Sequence, residues 1–160
     1  MATRTRACLA ALLSATFAFA ADWPQWGGRD CRNMASDEKG IPESFDPGNK
    51  LPSGAIDPAT TKNVKWAARL GTEAYGNPTV SGGKLFVGTN NGAPRDERLK
   101  GDRSVLLCLE EATGKFLWQL IVSKYPQYRS WNGDYPSLGI CSSPTVEGDR
   151  VYVVTSRDEV

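Results

Sequence analysis

The sequence predicts an all-β protein, and two observations carry that prediction. From Gly76 to Trp118 the chain alternates short β-branched and aromatic runs with glycine-containing turns, the pattern of consecutive strands. The opening of that stretch then recurs. Pro78-Thr79-Val80 returns as Pro144-Thr145-Val146, Gly82 as Gly148, Val87 as Val153 and Thr89 as Thr155, a period of 66 residues. A repeat that cannot bury both its faces must stack on its neighbours. Four antiparallel strands per unit, stacked in this way, make the blades of a β-propeller. The period exceeds the ~40–50 residues of a plain blade, and the excess sits in two polar insertions.

Each element has its own signal. Pro78-Thr79-Val80 is a short strand, and Ser81-Gly82-Gly83 is a turn in which glycine takes positive φ without steric cost. Lys84 to Thr89 is the second strand and Val105 to Leu109 the third. Ala112-Thr113-Gly114-Lys115 is another tight turn, and Phe116-Leu117-Trp118 begins the fourth strand. One complete four-stranded blade is therefore expected over about 76–121. A second blade opens at Ser143 and breaks off at Val160 before its third strand, as in an amino-terminal fragment of a longer protein. Upstream, Asn63 to Gly71 is expected to be a strand, with Val64, Trp66, Ala68 and Leu70 on one face. Residues 63–160 thus form the repeat region, with open strand edges at its start and finish.

Residues 21–62 carry few strand signals. Pro42, Pro47, Pro52 and Pro58 punctuate an irregular arm. Trp23 and Trp26 imply that the arm packs against the repeats, because large aromatics bury much surface. Residues 1–20 have the form of a secretory signal peptide: Arg4 and Arg6, an apolar run from Ala7 to Phe19, and a small-x-small site at Ala18-Phe19-Ala20 that leaves a mature start near Ala21. Ala7 to Ala21 is shorter than the ~20 residues of a membrane span. An exported protein is therefore expected: periplasmic, cell-surface or extracellular, and not transmembrane.

Loss of residues 1–20 removes two arginines from 19 basic residues and leaves 17 against 18 acidic, a formal charge of −1. Such a balance speaks against nucleic acid as partner. The chain has no histidine, which removes the commonest general base and metal ligand and with it any Ser-His-Asp or Cys-His set. Cys31, Cys108 and Cys141 remain after export. Cys108 falls within the third strand as a small buried apolar residue. Cys31 and Cys141 can pair in an oxidising compartment, with geometry that spacing alone leaves open.

The two insertions are the candidate functional loops. Asn90 to Arg103 mixes both signs; Asn90, Asn91, Asp96 and Glu97 carry calcium-type oxygens, but their spacing fits no loop template. A solvated loop is the expectation there. Ile121 to Ile140 holds Tyr125, Tyr128, Trp131 and Tyr135 around an Asn132-Gly133-Asp134 turn. These aromatics either form a stacking platform for a flat ligand or pack the loop on its own blade. Trp131, Asp134 and Tyr135 are the candidate ligand-binding residues. No catalytic or metal residue is assigned.

Pro-Thr-Val with Gly-Gly, the Leu85-Phe86-Val87-Gly88 strand, Leu107-Cys108-Leu109, the Thr113-Gly114-Lys115 turn and Trp118 together resemble the pyrroloquinoline-quinone-type (PQQ-like) propeller repeat. Quinoprotein dehydrogenases and bacterial outer-membrane assembly propellers share that repeat. Asp22-Trp23-Pro24-Gln25-Trp26-Gly27-Gly28 resembles the opening of large secreted members. In such propellers an early strand completes the last blade, the role the resemblance implies for 63–71. Fold does not settle activity, and the resemblance allows two functions. One is an exported, non-enzymatic binding or scaffold propeller with a protein or glycan partner. The other is a dehydrogenase that oxidises an alcohol or sugar with PQQ and calcium. The adjacent cysteine pair of those dehydrogenases is absent, and none of their catalytic or cofactor roles maps onto a motif here. The binding module is the favoured expectation, with no cofactor evident.

Overall fold

The computed structural model of the chain describes residues 21–28, 30–125 and 137–160. Regular structure among them is strand, apart from 3-10 conformation at Pro58–Thr60 and at Ser137. Four strands, β1 (Thr79–Ser81), β2 (Lys84–Asn90), β3 (Arg103–Glu110) and β4 (Phe116–Ser123), form one antiparallel sheet in consecutive order. A separate hairpin joins β5 (Thr145–Glu147) to β6 (Arg150–Tyr152). The all-β expectation holds, and the strand limits fall within a few residues of those read from the sequence.

The turns explain the topology. Gly82 and Gly83 have φ of 58° and 72°, and an added Cβ at either would meet open space. Glycine is needed there for its backbone conformation alone, and two positive φ values match the twist of the strands they join. The hairpin 66 residues on repeats the register position for position. Thr79, Val80 and Ser81 face Phe86, Leu85 and Lys84; Thr145, Val146 and Glu147 face Tyr152, Val151 and Arg150. Gly148 again has a φ of 58°. Between β3 and β4 the register shifts at Cys108/Leu109, a bulge of the kind that increases local twist.

The two faces of the first sheet bury different partners. Phe86, Leu106 and Cys108 point to one face and pack against Ile140 and Val153, with Val146 and Val151 alongside. Val87, Val105, Leu107 and Leu109 point to the other and pack under Trp66, Ala68, Leu70 and Ile121. Alternation along β2 and β3 thus places both faces in the core, and each such side chain contributes about 1.5–3 kcal/mol. The expected strand at 63–71 is corrected by this arrangement. Its alternation is right, since Val64, Trp66, Ala68 and Leu70 are the half-buried positions, but no strand forms. The segment lies across a sheet face, where no strand edge offers it a ladder. It is anchored through side chains instead: Trp66 Nε1 donates to Glu111 O at 2.8 Å, and Gly71 N donates to Thr89 Oγ1 at 2.9 Å.

The arm is irregular, as expected, but only its start packs on the sheet: residues 30–47 are exposed, Met34, Ile41 and Phe45 among them, and its two tryptophans differ. Trp23 forms an antiparallel bridge with Val80 (Trp23 N to Val80 O, 2.7 Å; Val80 N to Trp23 O, 2.9 Å). It covers the outer edge of β1, which an exposed sheet edge requires. Its ring lies where a Cβ on Gly28 would come within 2.8 Å. Pro24 has no N–H, yet its carbonyl accepts from Val146 N at 2.7 Å, so the arm also reaches β5. Trp26 remains half exposed, contrary to the packing expected of it; its carbonyl, not its ring, is held, by Arg32 Nη1 at 2.9 Å.

Candidate functional site

Strand direction sends both insertions to the same end of the sheet. Asn90, the last residue of β2, faces Ser104, and Arg103, the first of β3, faces Ser123, the last of β4. The 91–102 connection and the segment that follows β4 therefore leave from one end. The opposite end carries only tight turns. A long-loop end on a rigid sheet is where binding residues concentrate.

At the roots of these insertions lies a polar cleft of about 240 Å³, lined by Asn90, Asn91, Gly92, Gly101, Asp102 and Ser137. Asn90 and Asn91 are buried, and their amides knit the corner together. Asn90 Nδ2 donates to Thr72 Oγ1 at 2.8 Å and to Ser137 O at 2.6 Å, while its Oδ1 accepts from Thr72 N at 2.8 Å and Gly92 N at 3.0 Å. Asn91 Nδ2 donates to Leu99 O and Gly101 O. Asn90 thus ties together segment 71–72, the end of β2 and the return of the second insertion. A buried amide without these partners would cost about 1–3 kcal/mol.

Charge in the corner is paired. Lys124 Nζ lies 2.6 Å from Asp102 Oδ1, with the lysine side chain only 1% exposed. A buried ammonium persists only with such a partner. Beyond it, the Arg157 guanidinium sits 4.5 Å from the centre of the Tyr125 ring and 3.0 Å from Glu159 Oε1. The Tyr125 hydroxyl, first among its partners, raises the Arg157 pKa. Tyr125 and Ser137 are the last and first described residues on either side of the aromatic insertion, and both are held at this end.

Trp131, Asp134 and Tyr135 fall in 126–136, outside the described residues; the structure places only the roots of their loop. Asn90 and Asn91, weighed above as calcium oxygens, are amide clamps instead. Asp96 is taken up by Arg98, whose side-chain hydrogen bond, followed by its backbone one, lowers the carboxyl pKa to about 2. Glu97 pairs with Lys100 at 2.5 Å. Arg95, whose pKa is lowered by burial and by Arg69, donates to Ala93 O and Arg69 O. Among the described residues no three His, Cys, Asp or Glu side chains gather as a metal set. The oxygens of Asn90, Asp96 and Glu97 are thus engaged by partners within the chain.

Cys31, Cys108 and Cys141 are free thiols. The candidate Cys31–Cys141 bridge is not formed. Cys108 is fully buried in β3, as read from the sequence. Burial raises the thiol pKa of both Cys108 and Cys141. The Asp102–Lys124 pair carried no local signal, because its members are 22 residues apart and meet only when β4 pairs with β3. No helix among the described residues is long and apolar enough to cross a membrane.

Comparison with protein-family models, with curated proteins and with solved structures returns no match.

Proposed function

We propose that the chain is the opening of an exported PQQ-like β-propeller that serves as a non-enzymatic binding or scaffold module. The observation that carries this reading is the in-register repeat. Hairpins β1–β2 and β5–β6 share sequence, register and a glycine of φ 58° at a spacing of 66 residues. The second packs on one face of the first sheet, and segment 64–70 occupies the other. Tyr152 and Val154 on the second hairpin, and Trp118 and Leu120 on β4, keep about 40% of their surface exposed. In a ring those surfaces receive further strands of the same kind. The buried, internally paired side chains of Asn90, Asn91 and Lys124 hold the roots of the long loops on the sheet, so that ligand recognition at this end falls to the loops themselves.

The experiment is a glycan-array screen followed by titration calorimetry on the purified exported protein. Binding that weakens at least tenfold in both Trp131→Ala and Tyr135→Ala supports the loop as platform. Unchanged affinity in both leaves the loop as local packing. Dye reduction by alcohols or sugars on addition of PQQ and calcium would replace the binding reading with the dehydrogenase one.

A further inference from the structure

The first residues of the arm hold a contact that the repeat does not account for. Ala21 N donates to Glu38 Oε1 at 2.6 Å. The two residues line a cavity of about 360 Å³ together with Asp22, Trp23, Ala35, Ser36, Asp37 and Lys39. Among the described residues that line the cavity, the titratable side chains are three carboxylates, Asp22, Asp37 and Glu38, and one ammonium, Lys39. From the adjoining β1 turn come Ser81 Oγ and Gly82 N, both donating to the Asp22 carboxylate at 3.0–3.2 Å. The described side chains that line the cavity include more carboxylates than ammonium groups, and they face a nitrogen that, within an uncut chain, is a neutral amide.

We propose that Glu38 is the receptor for the amino terminus created when residues 1–20 are removed, an inference that rests on the export reading above. Hydrolysis of the Ala20–Ala21 bond by an export peptidase adds water across the amide. The carbon–nitrogen bond breaks, Ala20 leaves as a carboxylate and Ala21 N becomes an ammonium. The nitrogen already lies at hydrogen-bond distance from Glu38, so cleavage converts a neutral contact into a charge-assisted one. Next in the chain, Asp22 caps the β1–β2 turn, Trp23 pairs with Val80 and the Pro24 carbonyl accepts from Val146 N. Seating Ala21 therefore anchors the strap that pairs with β1 and reaches β5. Processing thereby becomes a modification that tightens the arm.

The sign of the pH effect follows. An unperturbed α-amino group titrates near ~7.7–8.0, and a carboxylate partner raises that value in the folded protein. The added anchoring is present below the unfolded value and is lost as pH rises through the raised one.

The test uses the protein exported with its leader and purified. Mass spectrometry first establishes the mature start. The α-amine is then labelled by reductive methylation with carbon-13 formaldehyde and titrated by NMR, in the parent and in Glu38→Gln. The inference expects a parent value about half a pH unit above that of the variant, the size of an exposed ion pair. It also expects faster amide exchange at Trp23 and Val80 when one glycine is inserted before Ala21. A start at Ala21 with identical titration in parent and variant overturns the receptor and leaves export intact. A start displaced by a residue or two overturns the receptor and leaves export intact; an intact Met1 start overturns both.

Discussion

Replacing Gly88 with alanine tests how the second hairpin is seated on the first sheet. Gly88 lies in the middle of β2, where glycine ordinarily weakens a strand by about 0.5–1 kcal/mol relative to alanine. Strand propensity alone therefore predicts that Gly88→Ala stabilises the protein. The tertiary structure predicts the opposite. A Cβ at Gly88 would stand 2.2 Å from Ile140 O, 2.9 Å from Ile140 Cγ2 and 3.0 Å from Ile140 C. The nearest atom is backbone and cannot rotate away; relief needs a displacement of about 1 Å or more to reach ordinary contact. Gly139, the preceding residue, is equally close to Thr89, with a Cβ position 2.0 Å from its carbonyl. Overpacking of this kind costs about 1–3 kcal/mol. Partial undocking of Ile140, 1% exposed in the core shared with Val153, adds to it. We expect a net loss of about 3 kcal/mol, measured as a fall of about 1–2 M in the urea midpoint with unchanged slope. The internal control is Val154, which occupies the equivalent place in the repeat and is 46% exposed. Val154→Ala should change stability by less than about 1 kcal/mol. A Gly88→Ala protein as stable as the parent, or more so, would refute the close approach of Ile140 to β2.

Other outcomes follow from the paired charges and the thiols. Asp102→Ala removes the carboxylate 2.6 Å from the buried Lys124 ammonium and should lower stability by chemical denaturation, whereas Lys124→Met, which leaves a one-third-exposed Asp102, should cost clearly less. Asp96, its carboxyl held to about 2 by Arg98, contributes its pairing above the ordinary value of 3.8 and loses it as pH falls through about 2; in Arg98→Ala an NMR titration should return Asp96 toward 3.8. In native protein, Cys31 and Cys141 should react with a soluble alkylating reagent, and Cys108, 0% exposed, should react only at the rate of unfolding. Equal labelling of all three thiols by peptide mapping would contradict the placement of Cys108 in the β3 core.

Local chemistry determined much of this protein. Glycine pairs at the turns, β-branched alternation along 84–89 and 105–109, and a 66-residue recurrence are properties of neighbouring residues, and the strands and turns they predict are present, although β6 stops at Tyr152 where its counterpart β2 continues to Asn90. The alternating burial of Val64, Trp66, Ala68 and Leu70 was equally legible, because side-chain period is local. Whether that segment pairs as a strand was not, since a ladder needs a free edge and the fold offers it only a sheet face. The bridge from Trp23 to Val80, the carbonyl of Pro24 on Val146, the seat of Ala21 on Glu38 and the Asp102–Lys124 pair join residues 17 to more than 100 positions apart. Sequence alone marks Gly88 only as a glycine in a strand; the backbone of Ile140 lying across it makes its lack of a side chain necessary. Such contacts exist only after the chain has closed, when what a residue meets depends on the packing of distant segments and no longer on its neighbours in the sequence.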